Sequence, residues 1–314
     1  MRTKFFQSLK KLVSPIFLII VFSFWIYYII KYSNKIIQVI GKINWFWFFI
    51  AIIVFLPFYA IEIFNWRLLI KTLKGKITFF HAGKSWLLSN LAKYIPGTVW
   101  IPLSRSYLSK QVNISYGKSL VSWLFELYFH LASAIFVFCL YFLLRSRNFF
   151  EIIILVILCC LLILIPILRN YIFQSIKLIF KISFLKSYLK KFEELVSLSK
   201  TIPIKIPLLL FFRTMMIWII QGFWLFILTY SIVGKSFAIY HFFYIWSFSW
   251  FIGFIVIFTP GGLGVREGVM LALLSKLGIA IPTAMVISIL SRFQYIVLDG
   301  VVTLLFIRLI KNRS

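Results

Sequence analysis

The sequence predicts an all-α polytopic membrane protein: about six full spans plus two Pro-Gly-broken re-entrant hairpins, arranged as two inverted repeats. Three observations predict it. The 314 residues are 62% hydrophobic and 13% charged, with a mean hydropathy of +1.02, whereas soluble domains carry roughly 25% charged residues. Several apolar stretches reach the roughly 20 residues that a helix needs to cross about 30 Å of hydrocarbon. Two further apolar regions are each interrupted by Pro-Gly, where proline removes a backbone donor and clashes with the preceding turn. No separate soluble domain has room to exist, so residues 1–314 read as one integral membrane domain.

In chain order, hydropathy places spans near residues 12–30, 45–66, 119–144, 149–168, 206–233 and 281–307. The basic flank and apolar stretch at the N-terminus have the form of a signal sequence. They lack a small-residue cleavage site and carry bulky aromatics, so this segment is expected to be retained as the first span. The broken hairpins occupy residues 80–108, around Pro96-Gly97, and 237–278, around Pro260-Gly261-Gly262. Between the fourth and fifth spans, residues 169–205 form a basic amphipathic connector: Ile172, Ile176, Ile179 and Phe180 recur at helical spacing beside Lys177 and Lys181, with Lys190 and Lys191 further on. Such a helix either lies along the cytoplasmic leaflet or packs on neighbouring loops.

A net charge of +27 would suggest nucleic acid as the partner of a soluble protein. Here the Lys and Arg residues sit in the connectors, which points instead to anionic membrane lipid and to no nucleic acid. With each Pro-Gly hairpin entering and leaving on one side, the inside connectors hold 21 basic residues and the outside connectors 6. That bias predicts cytoplasmic termini at both ends.

The same layout contains an internal repeat. A span, a Pro-Gly hairpin and a second span recur as units of approximately 43–144 and 206–309, offset by about 164 residues, and the topology makes them inverted copies. Some thirty positions after each Pro-Gly comes a charged residue, Glu126 in the first unit and Arg292 in the second. These two are a candidate pair across the pseudo-symmetry axis. In transporters built this way the binding site lies near the midplane, at the interrupted helices.

Breaking a helix in a membrane exposes carbonyl and amide groups, which is tolerated only inside protein or against a wet cavity, so the breaks predict a polar cavity. In "FTPGGLGVREG", a half-helix starting near Gly264 would aim its amides and the positive end of its dipole into that cavity close to Arg266, a setting suited to an anionic headgroup. Lys93, Pro96, Gly97, Trp100 and Arg105 form a matching set in the first hairpin, able to receive a phosphate. The alternative is that these cations snorkel to the interface and the prolines merely end helices. Intramembrane charge is costly and usually marks a pathway. Glu267 is expected to neutralise Arg266 or Arg292 rather than relay protons, and Glu62 with Arg67 to form an interfacial ion pair. His81, His130 and His241 lack metal-ligand spacing and read as structural residues at span ends. Cys139, Cys159 and Cys160 read as small hydrophobes, so neither a metal nor a cofactor is expected.

At "KYIPGTVW" and "TPGGLGVREG", followed by "SLVSWLFE" and "AMVISILSRF", the sequence resembles the flippase-like family that includes the transmembrane region of lysylphosphatidylglycerol synthases. The resemblance covers roughly residues 10 to 310. It implies a multi-pass plasma membrane protein of a bacterium or archaeon that translocates a lipid, either an aminoacylated phospholipid or a polyprenyl-linked saccharide. Pro96, Gly97, Pro260, Gly261, Gly262, Arg266 and Glu267 match the family pattern by position. The bifunctional synthases append a soluble aminoacyl-transfer domain. The sequence ends at Ser314, and synthesis of lysyl-lipid is not expected of it.

The expected function is therefore a lipid translocator, with the headgroup in the cavity, acyl chains in the bilayer and alternating access by rocking of the repeats. No GxxxxGK[ST] motif is present to hydrolyse ATP, so movement is downhill or coupled to an ion or the membrane potential. The expected partners are membrane lipids and a membrane-associated lipid- or glycan-modifying enzyme. The alternatives are a membrane-embedded transferase or accessory subunit of such an enzyme, and a non-transporting scaffold or sensor. The outside loop at 31–44 has no acidic pair and no GxSG occurs, so an enzyme is not expected.

Overall fold

A computed structural model describes residues 23–95, 99–145, 205–256 and 259–311, together with Ile153, Ile157, Ser197, Leu198, Ile202 and Pro203. All regular structure among the described residues is helical. Residues 23–40 form helix α1. It is followed by α2 (Trp45–Phe55), α3 (Pro57–Thr72), α4 (Phe79–Leu91), a 3₁₀ turn (Ala92–Tyr94), α5 (Trp100–Lys110) and α6 (Tyr116–Arg145). Then come α7 (Lys205–Val233), α8 (Tyr240–Ile255), a 3₁₀ turn (Pro260–Gly262), α9 (Val265–Lys276) and α10 (Ile281–Lys311).

Among the described residues, four helical stretches are long and apolar enough to cross a membrane: Trp45–Thr72, Tyr116–Arg145, Lys205–Val233 and Ile281–Lys311. The protein is a multi-pass membrane protein. These stretches run 28 to 31 residues, longer than the roughly 20 that hydrocarbon demands, so they tilt or project beyond it. The span expected at 45–66 reaches Thr72 and is interrupted at Leu56-Pro57, because Pro57 has no N–H for the helix ladder. The first predicted span is described only from residue 23, and its helix continues past Lys31 and Lys35 to residue 40. The span expected at 149–168 and the connector at 169–205 lie largely outside the described residues, as do Cys159 and Cys160.

Both interrupted regions consist of short helices around a break. The pieces hold 13 and 11 residues (α4 and α5) and 16 and 12 residues (α8 and α9), each below the roughly 20 needed to span alone. The second break is written into its glycines. Gly261, Gly262 and Gly264 have φ of +56°, +74° and +80°, a region that L side chains enter only with strain. A Cβ on Gly262 would also stand 2.9 Å from the Gly253 carbonyl oxygen, so the turn packs directly on α8.

The chain divides into two compact units. The first is drawn from the described residues within Met1–Leu56, Asn90–Ile101 and Ile219–Leu304, the second from those within Pro57–Ser89, Pro102–Trp218 and Leu305–Ser314. In the first unit α8 packs against α9, closely enough that a Cβ on Gly253 would sit 3.1 Å from that of Arg266. Its core is aromatic, with Trp224 in edge contact with Phe55 and Trp246. The indoles are satisfied internally: Trp224 donates to Gln294 at 2.8 Å and Trp246 to Gln221 at 2.7 Å. In the second unit α3 packs on α6, and Leu69, Leu73, Val121, Phe129, Ile202, Leu210 and Phe211 form a buried cluster. Phe46, Ile53, Phe212, Phe293 and Leu304 are exposed, as suits helices that face lipid tails.

Candidate functional site

Each unit buries a cluster of charge. In the first unit it forms where the 3₁₀ turn after α4, the Pro260–Gly262 turn, the start of α9 and one face of α10 meet. On α10, Arg292, Tyr295 and Asp299 follow at spacings of three and four residues, which stacks them on a single face. Asp299 is 1% exposed. Its partners include Lys93 at 2.5 Å, the Tyr94 hydroxyl donating at 2.6 Å, and the Asn90 amide at 3.5 Å. The Lys93 ammonium also lies 4.2 Å from the centre of the Tyr295 ring.

Arg292 reaches the break itself. Its Nη2 donates to the Gly261 carbonyl at 3.0 Å, which satisfies a backbone acceptor at the interruption. Its Nε stands 3.5 Å from Oε1 of Glu267, an attraction of charges without an aligned hydrogen bond. The other Glu267 oxygen accepts from the Gly264 amide at 2.5 Å and caps α9. Trp25 of α1 donates its indole N–H to the Gly264 carbonyl at 3.2 Å. The amide at Gly264, expected to face a ligand, is therefore occupied by a side chain of the helix it starts.

Arg266 differs from its neighbours. It is 5% exposed, with its guanidinium 4.1 Å from the centre of the Trp246 ring and 5.5 Å from that of Tyr295. Its Nε and Nη2 are buried and meet no acceptor among the described residues. Counted over the described residues, the cluster sets three cations, Lys93, Arg266 and Arg292, against two carboxylates, Glu267 and Asp299. The carboxylates are engaged by Arg292 and Lys93, so the surplus positive charge resides on Arg266.

The second unit makes a different cluster. Arg105 of α5 is 2% exposed, pairs with Glu126 of α6 at 2.5 Å and donates from Nε to Ser89 at 2.8 Å. Trp86 donates to the other Glu126 carboxylate oxygen at 2.9 Å, and the Arg105 guanidinium lies 4.9 Å from the centre of the Trp66 ring. One helical turn after Glu126, His130 contacts Glu62 of α3 with Nε2 at 2.7 Å, while its Nδ1 faces the Glu126 carbonyl at 2.8 Å.

The expected site residues thus divide. Pro260, Gly261, Gly262, Arg266, Glu267 and Arg292 come together in the first unit, joined by Lys93. Arg105 belongs to the second unit, where α5 places it against Glu126. Trp100 is exposed at the start of α5, and Pro96 and Gly97 lie outside the described residues. Glu126 and Arg292, expected as partners of each other, each have an ionic partner of their own in Arg105 and Glu267. The expected approach of Glu267 to Arg292 is observed. Glu62 and Arg67 do not form the expected interfacial pair: Glu62 is buried and bound to His130, and Arg67 donates to the Ile77 carbonyl. His130 stands near the middle of the 30-residue α6, not at a span end.

Asp299, Tyr94, Tyr295 and Trp246 help to build the first cluster, and sequence reasoning assigned them no role. The spacing of Arg292, Tyr295 and Asp299 was the available signal: an acid in an apolar helix, in register with an arginine two turns earlier, points to one polar face.

The helices and these clusters define a polytopic membrane protein with charge buried at an interrupted helix. The chain matches the family described as the lysylphosphatidylglycerol synthase TM region over residues 12–302, and it belongs to that family. Comparison with curated proteins gives no match.

Proposed function

We propose that the protein is a lipid translocator that receives an anionic or aminoacylated headgroup, of a phospholipid or a polyprenyl-linked lipid, at the first-unit cluster. The observation that carries this reading is Arg266, a buried guanidinium with surplus charge and two nitrogens, Nε and Nη2, that meet no acceptor among the described residues. A buried charge without a counter-ion is costly, and a phosphate oxygen is the acceptor that fits a guanidinium best. Trp246 holds the guanidinium from one face, a contact that desolvation strengthens to about 2 kcal/mol or more. The aminoacyl amine of a zwitterionic headgroup has Asp299 and Glu267 as neighbours of opposite sign.

Family membership supports a lipid as the substrate. On this reading both broken regions are re-entrant, the two repeats are inverted, both termini are cytoplasmic, and the protein resides in the plasma membrane. It performs no chemistry on its substrate, and it serves a membrane enzyme that modifies lipid or glycan. The test is reconstitution of the full chain in liposomes containing labelled anionic, aminoacylated or polyprenyl-phosphate lipid, followed by leaflet accessibility. Headgroup-selective movement that is lost in Arg266→Ala is expected; movement by that variant at the wild-type rate removes Arg266 from the site.

A further inference from the structure

The second-unit cluster contains a feature of its own. His130 Nδ1 lies 2.8 Å from a backbone carbonyl, the Glu126 oxygen, which only accepts. Nδ1 must therefore carry a proton and donate it. In the neutral imidazole that assignment leaves a lone pair on Nε2, and Nε2 stands 2.7 Å from Glu62 Oε1. Two lone pairs do not approach to that distance. The geometry thus requires one proton on the line between Nε2 and Oε1, either as imidazolium with carboxylate or as imidazole with carboxylic acid.

Beside the dyad is Glu126 of α6, whose backbone carbonyl meets His130 and whose carboxylate pairs with Arg105 of α5. Trp86 of α4, which donates to Glu126, and Trp218 of α7, whose ring centre is 6.3 Å from that of His130, are neutral. With the proton present Glu62 and His130 are neutral together; without it the buried site holds one negative charge. Other polar atoms near Glu62 are unsatisfied. Glu62 Oε2, both amide atoms of Asn65 and Trp66 Nε1 are buried and meet no partner among the described residues. Asn65 and Trp66 follow Glu62 by three and four residues, so they share its side of α3. The ring of Trp66 in turn lies against Arg105, which places this face beside the dyad. Unpartnered polar groups at such depth are the ones that hold water, and with it a path for a proton.

We infer that Glu62 and His130 form a proton-binding site whose occupancy drives lipid movement: one proton enters from the side of higher proton concentration, sits between Oε1 and Nε2, and leaves to the other side. The coupling rests on the translocator reading; the proton site does not.

Two measurements on the purified full chain separate these. Infrared difference spectroscopy across a pH titration should show, beside the bands of the other acids and histidines, a carboxylic-acid or imidazole protonation signal in the wild type that is absent in Glu62→Gln and altered or absent in His130→Gln, with both variants monodisperse. A wild type without that signal, or a signal that survives both substitutions, overturns the proton site. In liposomes, a gradient of about one pH unit supplies a factor of about ten per proton, so the steady-state distribution of labelled lipid between leaflets should shift by up to about tenfold. In either variant the distribution should ignore the gradient. A wild-type distribution indifferent to the pH gradient, in liposomes where the lipid does move, overturns proton coupling. Titration of the dyad in a protein that moves no lipid keeps the proton site and removes the translocator reading instead.

Discussion

Arg105 and Arg266 occupy the same kind of place, a guanidinium buried beside tryptophan, and their surroundings treat them oppositely. Arg105 has the Glu126 carboxylate, the Ser89 hydroxyl and the rings of Trp66 and Trp86. Arg266 has the rings of Trp246 and Tyr295, and its nearest carboxylate neighbour in sequence, Glu267, faces Arg292 and the Gly264 amide. The indole acceptors follow the same division: Trp86 donates to charged Glu126, Trp246 to neutral Gln221. A completed ion pair fixes structure, whereas an incomplete one has an interaction left to make. Burial alone does not distinguish the two residues; the partners do.

That contrast breaks most visibly at Glu126. Glu126→Ala leaves Arg105 as an uncompensated buried charge and should cost about 3–5 kcal/mol, seen as a large fall in the unfolding midpoint of the detergent-solubilised protein. Replacing both Arg105 and Glu126 by methionine should recover most of that loss, since a buried pair is often no better than apolar packing. Next in size is Gly261→Ala. With φ at +56° and a new Cβ 2.9 Å from Arg292 Nη2, it should destabilise by about 1–2 kcal/mol and loosen the Arg292 contact to the turn. Tyr94→Phe removes only a hydroxyl from Asp299, which keeps Lys93, and should cost about 1 kcal/mol by the same unfolding assay. Smallest is Arg266→Met. Removal of a charge that meets no acceptor among the described residues, by a side chain that packs on Trp246, should leave the unfolding midpoint unchanged or slightly raised.

Much of the fold was legible in the sequence because lipid enforces it. A span needs a long apolar run, and the runs at 119–144, 206–233 and 281–307 became α6, α7 and α10 with ends shifted by at most four residues. The break at Pro260 was legible for the same reason, since three glycines beside a proline have few other uses inside an apolar segment. Partner choice was less legible. Glu62 and His130 are 68 residues apart, and Tyr94 and Asp299 are 205 apart. No periodicity within one helix reports which acid on another helix it meets. Proximity in sequence misled directly at Glu62 and Arg67, which miss the i, i+4 register on α3, so each takes a partner elsewhere.

The central claim, that Arg266 is left incomplete in order to receive an anionic headgroup, is tested most directly by lipid binding at equilibrium. Wild type and Arg266→Met, purified in the same detergent at equal monodispersity, would be titrated with short-chain anionic and zwitterionic phospholipids. Binding of the anionic lipid by the wild type, weakened about tenfold or more in Arg266→Met, is the predicted result. Equal affinity of both proteins for the anionic lipid would contradict it and would leave Arg266 a buried cation held by aromatic rings alone.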